Sequence, residues 1–190
     1  MPAFVQNQSP AIQHTFHPTV YYQLSTSNKS FVLMHQYLKS IGIKNNKFML
    51  ALLDKDLAGV DPHDPKLNQF MKQKILKECM ANYWYFLREV VRIPDQGGTG
   101  AGVKYELHRG NLALNFTMML NLNVFLELPR QHYKTISAVC RYLYLYNFGT
   151  SNSEMTFLHK KLDESKLNLQ RLNDIRDWLP SYLRMNQPYS

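Results

Sequence analysis

Residues 121–135 read Asn-Leu-Asn-Val-Phe-Leu-Glu-Leu-Pro-Arg-Gln-His-Tyr-Lys-Thr, an apolar run that ends in Pro129-Arg130-Gln131 and then Lys134-Thr135. Val124–Leu128 predicts a buried strand, and the apolar-periodic segment 136–148 predicts a helix beginning near Lys134. Strand, short loop, Lys-Thr and helix is the order of a phosphate-binding P-loop. Main-chain N–H groups of such a loop wrap a phosphate at a helix N-terminus, where unpaired amides and the helix dipole favour negative charge. Lys134 then reaches the β- and γ-phosphates, and the Thr135 hydroxyl holds Mg²⁺. Counting back from Lys134, the two glycine positions of the general G-x-x-x-x-G-K-[ST] pattern hold Leu128 and Tyr133.

Working outward, Arg130-Gln131 and Lys134-Thr135 resemble the Walker A variant of large terminase subunits, the viral DNA-packaging motors, in which the first glycine is commonly replaced and Arg-Gln stands inside the loop. Upstream, Asn82-Tyr83-Trp84-Tyr85-Phe86-Leu87-Arg88-Glu89-Val90-Val91-Arg92-Ile93-Pro94 is similar to the aromatic segment that opens terminase ATPase domains. Downstream, Met155–His159 and the helical pattern running to Trp178-Leu179-Pro180 look like that family's second strand and helix. The resemblance covers about residues 80–185. It implies an α/β fold: the parallel sheet of an additional-strand P-loop NTPase, incomplete within this sequence and preceded by a helical N-terminal segment.

The same resemblance implies an ATPase motor that drives double-stranded DNA into a capsid. Its cofactors are ATP and Mg²⁺. Its partners are double-stranded DNA, the portal protein, a small terminase subunit and further copies of itself in a homo-oligomeric ring. Its place is the host cytoplasm and, transiently, the procapsid portal. Arg130 takes the role of sensing or stabilising the γ-phosphate, supplying charge where it builds up during transfer, beside Lys134 as the second catalytic residue. Gln131 shapes the loop, and His132 either faces solvent or adds charge near phosphate. Tyr133 replaces a glycine that lets the backbone approach the phosphates, so its main-chain angles must stay ordinary and its ring must point away.

Leu107-His108-Arg109-Gly110-Asn111 opens the helix before the P-loop strand. Terminases and related helicases place an amide-bearing residue, usually Gln, in this region to read adenine N6 and N7; the resemblance implies that role for Asn111, whose shorter amide reads first as a helix-start residue. Arg109 stacks on the base, touches phosphate or is solvated. Other candidates are weaker. His14 and His17 have no third ligand partner, and His63 lies in a proline turn. Glu127 comes too early to be a Walker B carboxylate. Trp84, Tyr85 and Phe86 have the chemistry to stack bases, but at this density in an apolar segment they read as core. The run Gly97-Gly98-Thr99-Gly100-Ala101-Gly102 lacks a following Lys-Ser/Thr and reads as a turn or mobile loop.

A late apolar strand ending in an acidic pair, needed to hydrolyse ATP, does not follow Thr135, and no acidic triad suited to two-metal DNA cleavage is present. Within these residues the sequence therefore predicts an ATPase core that is incomplete. Two other readings stay open: a degenerate P-loop adaptor without hydrolysis, and a helicase-like translocase fragment. A net charge of +8 over 190 residues fits a polyanionic partner, with Lys44, Lys47, Lys72, Lys74, Lys77, Lys160, Lys161 and Lys166 the candidate contacts. Cys79 and Cys140 form no CxxC pair, which argues against a zinc module or disulfide scaffold. No apolar stretch is long enough to span a membrane, so no membrane partner is expected.

Along the chain, residues 1–29 read as an extended arm, 30–94 as a helical segment, 95–104 as the Gly-rich loop and 105–190 as the first part of the ATPase core. Helices are expected at 31–41 behind a Ser30 cap, at 46–57, at 66–80 with Leu67, Phe70, Met71 and Ile75 inward, and over 82–91. After residue 105 the expected order is helix 109–120, strand 123–128, helix 134–148, strand 154–158 and helix 160–179. The last helix carries Leu162, Leu169, Leu172, Ile175 and Leu179 on one stripe.

Overall fold

A computed structural model of the chain describes residues 51–94, 102–105, 109–120, 134–149 and 160–185, with the single positions 29, 32, 33, 36, 40, 100, 156 and 158. The expected arm, the strand 123–128 and the loop residues Arg130, Gln131, His132 and Tyr133 lie outside the described residues. So do Lys44 and Lys47.

The Asp-Pro-His-Asp-Pro cluster breaks the chain for a visible reason. The Asp61 carboxylate accepts from the His63 main-chain N–H at 3.0 Å, and that of Asp64 from Lys66 N–H at 2.8 Å. These are two successive Asx turns. Helix α1 (Gln69–Ala81) follows, opened by Asn68, whose Oδ1 accepts from Met71 N–H at 2.8 Å. The cap places its start three residues later than the periodicity alone indicates. Ile75, Glu78 and Cys79 are its buried residues, whereas Phe70, expected inward, is 63 % exposed.

Asn82 ends α1 and starts the next helix. Its Nδ2 donates to Ala51 O and to Glu78 Oε1, and its Oδ1 caps the Tyr85 N–H. The short helix α2 (Tyr83–Tyr85) passes into a π turn over Phe86–Val90. Every residue from Tyr83 to Val91 is buried, so the aromatic segment is core rather than a stacking surface. Burial of a side chain of this size contributes about 1.5–3 kcal/mol, and exposing it to stack a base would forfeit that.

Strands β1 (Arg92–Ile93) and β2 (Val103–Lys104) pair antiparallel, Arg92 opposite Lys104 and Ile93 opposite Val103. They flank the glycine run, where Gly100 and Gly102 have φ of +72° and +68°. Beyond them come α3 (Arg109–Met119), α4 (Lys134–Tyr144) with a π turn over Leu145–Gly149, and α5 (Leu162–Asp177). Helix α4 packs against both α3 and α5. Its C-terminal end meets α2 through aromatic edges: Tyr83 and Tyr144 centroids are 4.8 Å apart, Phe86 and Phe148 5.4 Å. One hydrophobic cluster draws Leu52, Ile75, Phe86, Ile93, Tyr105, Leu112, Val139, Ile175 and Leu183 together, from both sides of the expected division near residue 95.

Four further expectations differ from the structure. Lys29 is already helical, ahead of the start expected at Phe31, and Ser30 lies outside the described residues. Residues 51–54 are not helical, and only Lys55–Leu57 form a 3₁₀ turn, capped by Asp54. Thr156 and Leu158 belong to no strand, and Leu158 is 87 % exposed. Leu162 and Leu169 lie on the solvent side of α5, at 68 % and 51 % exposure. Among the described residues the only strands are β1 and β2, and no helix is long and apolar enough to cross a membrane.

Candidate functional site

Lys134 and Thr135 are the first two residues of α4, and both are exposed. Residues 121–133 lie outside the described residues, and helix α4 is described from Lys134 onward. Its buried residues are Ser137, Val139, Cys140 and Leu143, a spacing that turns one side of the helix to the core and leaves the Lys-Thr end at the surface.

Helix α3 is described from Arg109, and Asn111 lies within the helix rather than at its cap. Asn111 is 1 % exposed, on the core side, and its main-chain carbonyl accepts from Asn115 Nδ2 at 2.8 Å. The structure thus brings Asn111 and the Lys134–Thr135 turn onto two helices packed side by side.

A buried polar cluster joins those two turns. Tyr83 Oη donates to Asn115 Oδ1 at 2.5 Å, Asn115 Nδ2 donates to Tyr105 Oη at 2.9 Å, and Tyr105 Oη lies 2.6 Å from Ser137 Oγ. Tyr83 is 3 % exposed and the other three are fully buried. Burial pushes the Tyr83 phenol well above its ordinary value, so it stays protonated as a donor. The sequence reading missed this cluster. Its one local signal is the spacing of Asn111 and Asn115 on a single helix face; the links to Tyr83 and Ser137 each bridge 32 residues.

Elsewhere, the candidate basic contacts divide. Lys74 is tied to Asp54 at 3.1 Å and to Asp56, and Lys72 lies 5.8 Å from the centre of the Tyr182 ring. Lys77, Lys160, Lys161 and Lys166 are exposed. A shallow groove of about 620 Å³ beside α1 is lined by Asp54, Lys55, Lys74, Lys77 and Glu78. His63 is held in its turn by a 2.8 Å hydrogen bond between Nε2 and the Val90 carbonyl. Among the described residues no group of three or more His, Cys, Asp or Glu is placed to hold a metal ion. In a phosphate-binding loop Mg²⁺ would be held by a Ser or Thr hydroxyl together with a carboxylate and the phosphates. Thr135 is exposed and would supply the hydroxyl.

Compared with known proteins, the chain matches no family, no curated protein and no solved structure.

Proposed function

We propose that this chain carries the first part of the ATPase motor of a large terminase subunit, in which ATP hydrolysis by the complete motor drives double-stranded DNA into a capsid. The observation that carries the reading is the placement of Lys134-Thr135. Both residues are exposed in the first described turn of α4, and in sequence they follow the apolar run 124–128 and Arg130-Gln131. In this reading Lys134 holds the β- and γ-phosphates, and the N-terminal amides of α4 add donors. Arg130 supplies charge at the γ-phosphate, Gln131 and His132 shape the loop, and Thr135 is a protein ligand of Mg²⁺. The ion contributes charge neutralisation across the phosphates when bound. Arg109 marks the base side, whereas Asn111, expected there too, is buried on the core side of α3 and packs instead. DNA, the portal protein, the small terminase subunit and neighbouring copies in a ring are the partners this reading carries.

Equilibrium binding of a fluorescent ATP analogue with Mg²⁺ tests it, with Lys134→Ala and Tyr133→Gly as companions. Saturable binding by the wild type that is lost in Lys134→Ala supports a working phosphate loop. Binding gained only in Tyr133→Gly supports the adaptor reading, a loop of the right kind that no longer accepts nucleotide. No binding by either removes the support for both.

A further inference from the structure

Two basic residues oppose each other in the short hairpin. Arg92 stands directly opposite Lys104 in the β1–β2 pair, and like charges at opposed positions repel rather than hold strands together. The nearest counter-charge is already shared, since the Glu89 carboxylate lies 3.2 Å from Arg88 Nε and 3.5 Å from Lys104 Nζ. Arg92 is half-buried and fixed through one nitrogen, Nη1, which donates to the carbonyls of Glu89 at 2.9 Å and Val91 at 3.1 Å. Among the described residues no carboxylate forms an ion pair with Arg92, and its Nε and Nη2 have no hydrogen-bond partner. The basic surface continues past His63, whose imidazole has Arg92 and Lys104 as neighbouring positive charges. The preceding Pro62 carbonyl accepts from Tyr182 Oη at 2.8 Å, and Lys72 of α1 lies over that tyrosine ring. Lys104, Arg92, His63 and Lys72 thus follow one another through a chain of contacts from the hairpin to α1. The acids along it are Asp61 and Asp64, each with a carboxylate oxygen engaged by a main-chain N–H of its own turn. Asp61 attracts Arg92 from beyond ion-pair distance.

We propose that Arg92 and Lys104, with Lys72 beside them, form a contact site for the phosphate backbone of a nucleic acid. A guanidinium with Nε and Nη2 to offer matches two oxygens of one phosphate in a bidentate pair. A phosphate bound there replaces the repulsion between Arg92 and Lys104 with attraction to both. A row of separated cations fits a chain of phosphates better than it fits one free phosphate, and the net charge of +8 acts in the same direction. The site shares with the reading above only the DNA partner. It lies apart in sequence from Lys134 and Thr135 and stands whether or not they bind a nucleotide.

The test uses the full chain and a short fluorescent duplex DNA, with binding followed by anisotropy across a range of KCl concentrations. The variants are Arg92→Gln, Lys104→Gln and Lys72→Gln, and the control is Lys55→Gln, at an exposed lysine in the groove beside α1. Each of the three is expected to reduce the slope of log affinity against log salt by about 1 and to weaken binding about five- to tenfold near ~0.1 M salt. Lys55→Gln is expected to leave the slope unchanged. Arg92→Lys keeps the charge without the fork, so it should keep the slope and still bind more weakly. Melting temperatures are recorded, because Arg92 also holds main chain; if Arg92→Gln does not fold, Lys104→Gln and Lys72→Gln carry the test. An equal change in Lys55→Gln, an unchanged slope in both lysine variants, or no binding by the wild type overturns the proposal. Inorganic phosphate that displaces the DNA more strongly than chloride at equal ionic strength assigns the site to a single free phosphate and overturns the nucleic-acid assignment. Binding of the ATP analogue by the same preparations decides the nucleotide reading separately, so the failure of one is not the failure of the other.

Discussion

The indole of Trp178 fills the space beside Gly102: its nearest ring carbon stands 3.0 Å from where a Cβ on that glycine would be. Arg92 Cβ crowds the same point at 3.0 Å, and the indole Nε1 donates to the Gly100 carbonyl at 3.1 Å. The end of α5 thereby clamps the base of the hairpin that carries the glycine run. Gly100 has almost the same positive φ but nothing within 4 Å of a Cβ. Gly100→Ala is therefore expected to cost only the left-handed backbone penalty, about 1–2 kcal/mol. Gly102→Ala adds overpacking, for a total of about 2–5 kcal/mol. Thermal unfolding of the two variants checks this, at about 2–4 °C per kcal/mol for a chain of this size. Equal losses would mean that the indole moves aside freely.

Glu78 holds the segment before α1 in place. Its carboxylate, 2 % exposed, accepts from Leu53 N–H at 3.0 and 3.1 Å, from Asp54 N–H at 3.0 Å and from Asn82 Nδ2 at 2.7 Å. Every partner is a donor, so Glu78→Gln turns an accepting oxygen into an amide that faces other N–H groups. A loss of about 1.5–3 kcal/mol is expected, the range for hydrogen bonds to a charged group. Urea denaturation measures it. A change under 0.5 kcal/mol, the usual spread for surface substitutions, would show that water replaces the clasp.

How much of this was legible depended on distance along the chain. The Asp-Pro break and the aromatic core at Tyr83–Val91 are local patterns, and the structure places them where the sequence does. Strands of two residues carry no readable period, so β1 and β2 were hidden on either side of the glycine run. The Glu78 clasp and the Tyr83–Asn115–Tyr105–Ser137 cluster join positions 25 and 32 residues apart, beyond any spacing rule. On α5 the leucine stripe misled because the buried side carries Asn168 and Ile175, with Arg171 donating to Asn168 Oδ1 at 2.8 Å. At about 100° per residue, Leu162 and Leu169 fall roughly a third of a turn off that side. Arg130, Gln131, His132 and Tyr133 lie outside the described residues, so the phosphate side of the proposed site stands on the sequence pattern.

His63 gives the fold a pH dependence with a definite sign. Burial first, then the nearby Arg92 guanidinium, hold its imidazole below the ordinary 6.5, against the opposing pull of Val90 O and Asp61; Lys104 adds to the lowering. The folded state therefore binds fewer protons here than the unfolded state as pH drops below 6.5. This contribution to stability is complete above that pH, declines as pH falls towards the depressed folded value and is flat below it. His63→Gln keeps an N–H to offer Val90 but does not titrate. Chemical denaturation at pH 7.5 and 5.0 should show a smaller drop for the variant than for the wild type, and an equal drop would locate the dependence in the other histidines.

Thr135 separates metal binding from phosphate binding at the proposed site. It is exposed in the first turn of α4, beside Lys134. If its hydroxyl is a protein ligand of Mg²⁺, the ion should strengthen ATP binding to the wild type, and that increment should vanish in Thr135→Ala. Thr135→Ser keeps the oxygen and should keep the increment. The expected loss is about tenfold in affinity with Mg²⁺, about 1.4 kcal/mol, with little change in EDTA, because Lys134 and the helix amides still face the phosphates. Lys134→Ala should show the converse, weak binding whether or not the ion is present. Parallel losses for Thr135→Ala with and without Mg²⁺ would mean that the hydroxyl only starts the helix, and the metal would then have to be held by groups other than Thr135.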